Sequence, residues 1–416
     1  MDIQLIGIAN IIAISLLITL IIWRKNITLS IIFASGIIIR ILTSVLQDKY
    51  KLFPYDWDEK AFYSTAQTMY EYFVGRMRVY SPMENINSVT SYGGFLGGIF
   101  YFFGNTTIVA RLSNAFFGSL IILAVNRLAV NIGVSKDRAL YVSAIIAFTP
   151  SYIVYSSLIM RDMIIWILLI IIVIQWVKTI KYNNYFNFII GLVVAIILIP
   201  FRKQYVLILA LFAMVVFMIV WFRKDIKYSN VRINSIKYLS ITCLLIITVM
   251  ISYQLLILEI SRWGNNEIME YFVSQLAWRA QGGSAYLTTL EYTSIFDIIL
   301  YTPLKFVHFA FGPFLWTSSS PLVLLSAIES LIGTYFFVYL LLNYKHVLKM
   351  DLKNKSIIIF ITLFAITGLI MSATIDSNYG TAMRHRMIFM PLIFVVALLL
   401  KDKINYKIAT GNKYAH

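Results

Sequence analysis

Residues 161–181 read RDMIIWILLIIIVIQWVKTIK, an apolar run from Met163 to Ile180 with Arg161-Asp162 ahead of it and Lys178 and Lys181 at its far end. A helix that crosses a bilayer needs about 17–25 such residues. Working outward from it, comparable runs occupy 4–23, 28–47, 106–130, 138–158, 185–201, 204–222, 237–258, 322–343 and 356–375, with a shorter last one at 387–400. The reading is an all-α, polytopic transmembrane helical bundle of about eleven spans in one integral membrane domain, 1–416. Two further runs, 91–103 and 298–316, are short or interrupted by Gly93, Gly94, Gly97 and Gly98 or by Pro303, Gly312 and Pro313. They read as juxtamembrane or re-entrant pieces, which are tolerated only where protein or a watery cavity covers them. Composition agrees: 60% of residues are hydrophobic and 13% charged, above the roughly 45–50% apolar content of soluble domains.

The net charge of +16 suggests nucleic acid only until the bases are sorted by side. With eleven spans and the N-terminus outside, the cytoplasmic connections collect nineteen Lys and Arg against four acids, among them Arg223, Lys224, Lys227, Lys345, Lys349 and Lys401. The outside is close to neutral, which is the positive-inside asymmetry of a membrane protein and explains the basic balance without nucleic acid. Counting 91–103 and 298–316 as full spans puts Arg223 to Lys237 outside and destroys the asymmetry. No basic segment precedes residues 4–23 and Arg24-Lys25 follows them, so a cleaved leader is not expected.

Several chemistries lose support. Cys243 is the single cysteine and lies in an apolar run, so neither a disulfide nor a CxxC metal site is available. The four histidines, His308, His346, His385 and His416, are scattered and do not make a zinc site. No Walker A loop, GxGxxG after a strand, GxSxG or HExxH occurs, which removes the usual signatures of nucleotide-driven transport and of serine or zinc hydrolysis.

What remains lies outside the membrane. The loop at 47–90 contains Tyr55-Asp56-Trp57-Asp58-Glu59-Lys60-Ala61-Phe62-Tyr63, followed by a helix-like stretch to Gly75. Three carboxylates within four residues repel one another unless a proton, a base or a cation shares the site, which suits a general base or a metal ligand. A solvated acidic loop with an N-capping Asp is the competing reading. The triplet has oxygen ligands for Mg²⁺ or Mn²⁺, or it acts bare. Bases at external membrane boundaries run against the positive-inside bias: Arg161 beside Asp162, Arg202-Lys203, Arg384 and Arg386, and Arg279 in the loop 259–297. Guanidinium forks bind phosphate bidentately, so the set points to a lipid phosphate or diphosphate, with snorkelling or pairing to external acids as the alternative. Arg384 and Arg386 can share one phosphate only on extended backbone, because i and i+2 point apart on a helix. Arg40 lies inside a span, where a charge is costly and calls for a partner facing the bundle interior, expected to be a carboxylate. Arg111 and Glu329 are similarly placed.

The order of these features resembles the membrane glycosyltransferases of the GT-C superfamily, which includes protein O-mannosyltransferases and aminoarabinose transferases. The likeness runs from Arg40 through Asp58-Glu59, Phe62, Tyr63, Ala66, Gly75, Tyr92, Ile99 to Gly104 and Ala110-Arg111-Leu112-Ser113 to Pro150-Ser151 and Arg161-Asp162. Gly282 to Leu287, Pro313 to Trp316, and Asn378 to Thr381 with Arg384 and Arg386 look like membrane proteins of bacterial surface-polysaccharide clusters. The resemblance implies a catalytic module at 24–180 and lipid- or acceptor-binding helices at 181–416. It also implies residence in a bacterial plasma membrane, where the charge sorting puts the C-terminus in the cytoplasm.

It further implies that Asp58, with Glu59 and Asp56 beside it, is the catalytic carboxylate, acting as a general base, and that Arg161, Asp162, Arg202, Lys203, Arg279, Arg384 and Arg386 form the donor phosphate site. Arg40 and Tyr63 are read as structural partners. The donor is then a polyprenyl-phosphate-linked sugar, and the acceptor a glycan, lipid or protein. Asp56 is an acid the family pattern does not require, and the extra N-terminal span is a departure from it. A polysaccharide polymerase or ligase using a polyprenyl diphosphate-linked oligosaccharide would work without Asp58. A lipid-linked glycan flippase would instead line a midplane pathway with charge.

Overall fold

The computed structural model describes residues 3–53, 56–77, 87–225, 268–280, 283–317 and 321–409. Among them the chain is helical throughout, apart from an isolated antiparallel bridge between Ala285 and Asn378. In chain order the helices are α1 (Ile3–Trp23), α2 (Ile27–Tyr50), α3 (Asp56–Phe73), α4 (Ser88–Phe103), α5 (Thr107–Ile132), α6 (Lys136–Phe148), α7 (Pro150–Ser156) and α8 (Asp162–Tyr182). They continue as α9 (Tyr185–Leu198), α10 (Val206–Asp225), α11 (Ile268–Arg279), α12 (Ile295–Phe311), α13 (Pro321–Asn343), α14 (Leu352–Ile375) and α15 (Tyr379–Ala409).

Seven of these, α1, α2, α5, α8, α10, α13 and α14, are long and apolar enough to cross a membrane, and the count becomes eight if α6 and α7 are one bent span. This is a multi-pass membrane fold. The other three runs among the expected eleven fare differently. Residues 185–201 form the short helix α9 and a 3-10 turn at Ile199–Phe201. Residues 387–400 are the middle of the 31-residue α15, and 237–258 lie outside the described residues.

Of the two runs expected to be broken, 91–103 is one continuous helix, whereas 298–316 is broken at Gly312 and Pro313, between α12 and a 3-10 turn at Leu315–Thr317. The glycines of α4 do not interrupt it; they let it lie against α3. A Cβ at Gly97 would sit 2.7 Å from Met69 Cβ, and one at Gly93 would sit 2.5 Å from Thr65 Cγ2. These two glycines are one turn apart on one face, as close helix contact in lipid requires. Helix α12 passes through Pro303 and stops only at Phe311, where Gly312 caps it. The turn Gly75, with φ +75°, lies two residues beyond the end of α3.

The run 138–158 is instead bent by 58° between α6 and α7. Thr149 is extended and Pro150 opens α7. Proline has no N–H to give to the carbonyl four residues back, so the Ile146 carbonyl loses its helical partner. Arg40 supplies the replacement: Nη2 bonds Ile146 O at 2.8 Å, and Nη1 bonds Ala147 O at 3.0 Å and Gly36 O at 2.9 Å. The carboxylate partner expected for Arg40 is therefore replaced by carbonyls at the helix break. Ser157 Oγ adds a bond to Arg40 O at 3.2 Å.

The chain divides into two compact units. The first holds the described residues of Met1–Val130, Ser135–Ile172 and Val193–Lys203, and the second those of Asn131–Val134, Val173–Leu192 and Gln204–His416. In the second unit, α15 is the core element: every residue from 385 to 400 is buried. Phe336 of α13 meets Phe394 at 4.8 Å between ring centroids, and Phe364 of α14 meets Phe389 at 6.2 Å.

Candidate functional site

In the first unit the candidate residues gather around the start of α3. Glu59 is buried, and the fork of Arg111 from α5 closes on it, with Nη1 on Oε1 and Nη2 on Oε2 at 3.0 Å. The Ile159 amide donates to Oε1 at 2.8 Å. Arg111 Nε reaches Asp48 at the end of α2 at 3.3 Å, and Thr107 Oγ1 donates to the same oxygen at 2.7 Å. Three donors hold the Glu59 carboxylate as an ion-pair partner that ties α3, α5 and the turn after α7 together.

Asp58 stands about 100° around the helix from Glu59 and is half-buried. One turn further on the same face is Phe62. The Arg161 guanidinium lies 5.6 Å from the centre of the Phe62 ring, and its Nη1 bonds the hydroxyl of Ser88, the first residue of α4. The turn that carries Arg161 is pinned from below: Asn114 Nδ2 donates to Leu158 O at 2.6 Å and Met160 O at 2.8 Å, while Tyr92 OH donates to Asn114 Oδ1 at 2.9 Å. Asp162, buried at the start of α8, meets Arg202 Nη1 at 3.5 Å, and half-buried Lys203 follows in the chain. Phe62, the Arg161-Asp162 pair and Arg202 thus belong to one neighbourhood, with Asp58 one turn before Phe62 on α3.

Tyr63 packs edge-on against Phe100 at 5.7 Å. Burial, with the charge of Asp48 adding to it, pushes its phenol up despite a bond from Gln67. The side chain of Asp56, the first residue of α3, lies outside the described residues. Among the described residues no three His, Cys, Asp or Glu side chains gather as a metal site.

The second unit holds a different constellation. Asp376, which caps α14, is fully buried. Its Oδ1 takes Arg279 Nη1 from the end of α11 at 2.6 Å, and its Oδ2 takes His385 Nδ1 at 2.5 Å. Burial alone would raise this carboxyl; His385 and then Arg279 outweigh it and hold it well below the usual carboxylate range. The bridge between Ala285 and Asn378 zips two sequence-flagged stretches together, with Tyr286 N bonding Ser377 O and Tyr379 N bonding Ser284 O, each at 2.9 Å. The Tyr286 and Tyr379 rings stack at 4.6 Å, and Tyr379 OH meets His308 Nδ1 at 2.9 Å. Phe314, from the third flagged stretch, packs on His308 at 5.3 Å. Lys305 is buried on α12, with Nζ on Thr374 O at 2.7 Å.

Arg384 and Arg386 lie on α15, where helical backbone points them apart, so the condition for sharing a phosphate is not met. Arg386 instead caps α12: it bonds Phe309 O and Ala310 O at 3.3 Å each, Gly312 O, and Ser330 Oγ at 2.7 Å. Arg384 is half-buried. Sequence reasoning missed Asp48, Asp376 and Lys305. The signal available was an acid at each span boundary, since Asp48 and Asp376 both sit where an apolar helix ends. Comparison with protein-family models finds no match, and comparison with curated proteins finds none either.

Proposed function

We propose that the chain is a GT-C-like membrane glycosyltransferase that moves a sugar from a polyprenyl-phosphate donor to an acceptor hydroxyl on the extracytoplasmic side. The proposal includes an eleven-span topology with the N-terminus outside. One observation carries it: Asp58 lies on the face of α3 whose next turn holds Phe62 under the Arg161 guanidinium, while the neighbouring Glu59 is saturated by Arg111 and Ile159.

In this reading Asp58 takes the proton of the acceptor hydroxyl as the oxygen attacks the anomeric carbon. The bond from that carbon to the phosphate oxygen breaks with inversion, and the phosphate leaves with the bonding pair. A phosphate is a stable anion at neutral pH, its second pKa being about 6, so no general acid is required. Arg161 and Lys203 supply positive charge to the leaving oxygen as its own charge develops. The Asp162–Arg202 pair braces the start of α8 beside them. Arg386, occupied by carbonyls, has no part in donor binding.

The test is Asp58→Asn in native membranes, supplied with lipid-linked sugar already on the outer leaflet. Transfer is expected to fall by about 10²–10⁴-fold, the usual contribution of a general base, with expression and thermal stability unchanged. Full activity in that variant removes the reading. Translocation of the lipid-linked sugar without any transfer points instead to a flippase.

A further inference from the structure

Around Asp376 the bases outnumber the acid. Both carboxylate oxygens are taken, one by Arg279 and one by His385, yet a second buried cation, Lys305, stands close enough to feel both Asp376 and Arg279. Its ammonium carries three donors; it bonds the neutral carbonyl of Thr374 and lies 5.8 Å from the centre of the Tyr292 ring, and no carboxylate pairs with it among the described residues. A buried charge is tolerated when it is paired. The surplus here therefore calls for an anion.

Independent evidence comes from α11. Gln275 is 7% exposed, and its Nε2 has no hydrogen-bond partner among the described residues. It precedes Arg279 by one turn on the same helix face. Arg279 Nε is also buried and without a partner among the described residues. Leaving a buried donor unsatisfied is costly, and here two such donors lie one turn apart on α11, where Arg279 pairs with Asp376. A ligand that answers them offers several acceptor oxygens, negative charge and no donors of its own, which describes a phosphate group.

We propose that the second unit carries an anion pocket, formed by Gln275, Arg279 and Lys305 beside Asp376, that takes a phosphate monoester or diphosphate. Under the glycosyltransferase reading this pocket would hold the diphosphate of a lipid-linked acceptor glycan, and only that identification depends on the reading. Anion binding by the pocket stands without it. The phosphate could come from a lipid or be free in solution, and the two sources are separable.

The experiment uses the full chain in nanodiscs of zwitterionic lipid, in an Arg161→Gln background that removes the guanidinium of the first unit. Inorganic pyrophosphate is titrated by calorimetry, and nanodiscs doped with polyprenyl diphosphate are examined by native mass spectrometry. Pyrophosphate is expected to bind, and Gln275→Leu and Lys305→Met are each expected to weaken it about tenfold or more, while Lys305→Arg retains it. Gln275→Leu, a neutral change, keeps the test decisive if Lys305→Met misfolds. Equal pyrophosphate affinity in the parent and in folded Gln275→Leu overturns the pocket. Retention of polyprenyl diphosphate by the parent and its loss from the variants identifies a lipid source; binding of pyrophosphate alone identifies a free phosphate and removes the lipid-linked acceptor. Failure of Asp58→Asn to stop transfer changes none of these outcomes, so the two ideas fail separately.

Discussion

The two units use similar charges to opposite ends. In the first, acids and bases are matched one against another: Arg111 with Glu59 and Asp48, Arg202 with Asp162. On the next face of α3, Asp58 stands one turn before Phe62, whose ring lies under the Arg161 guanidinium. In the second, one carboxylate serves Arg279 and His385 while Lys305 and the Gln275 amide add further donors. A matched network holds a proton acceptor in position, whereas an excess of donors makes a receptor for an anion.

The sharpest way to break this contrast is to remove one base from each unit. Arg111→Met strands Glu59 as a buried, unpaired carboxylate, so a loss of about 3–5 kcal/mol in stability is expected, measured by thermal unfolding in detergent. Arg279→Met should cost less, because Asp376 keeps His385. Equal losses in the two variants would mean that the first network is not held together as its geometry requires.

Helix α4 gives an intermediate effect. Gly97→Leu forces a side chain into Met69 and Ala66, and overpacking of this kind costs about 1–3 kcal/mol. Because the displaced element carries Asp58, transfer activity should fall with it. Gly98→Ala, which meets nothing within 4 Å, should leave both melting temperature and activity unchanged or slightly raise the first. A harmful Gly98→Ala would detach the glycine pattern from the packing of α3.

A further effect is in pH. Burial pushes the Lys305 ammonium down to about 7, with Asp376 opposing the fall and Arg279 adding to it. The unfolded chain then holds a proton up to the ordinary value of 10.5 that the folded chain releases near 7, so stability rises with pH across that window. The melting temperature of the parent should climb relative to Lys305→Met from about pH 7 upward. A difference that stays flat would remove the buried cation from the second unit and with it much of the contrast.

Much of the fold was legible because about 20 consecutive apolar residues have few alternatives to a membrane helix. The bend at Thr149 was not, since a break inside an apolar run leaves the hydropathy unchanged. The glycines of α4 looked like interruptions because their partner, α3, is identified only by packing. For the site, Arg161, Asp162 and Arg202 do share a neighbourhood with Phe62, one turn beyond Asp58, and Gly283 to Leu287 does meet Asn378 to Thr381. What sequence hides is the partner of each charge. Glu59 and Asp58 are adjacent and chemically alike, and only Arg111, 52 residues away, separates their roles. Arg386 looked like an anion ligand until the end of α12 occupied it.

The Arg40 clamp also carries a timetable. Two of its three acceptors, at Ile146 and Ala147, are 106 and 107 residues downstream, so they do not exist when α2 first leaves the ribosome. A lone arginine at the middle of an inserting helix costs about 2.5–3.5 kcal/mol. Biogenesis therefore favours holding α2 at the insertion machinery until α6 emerges, and a ribosome-bound chain truncated before residue 146 should remain crosslinked there longer than one truncated after α7.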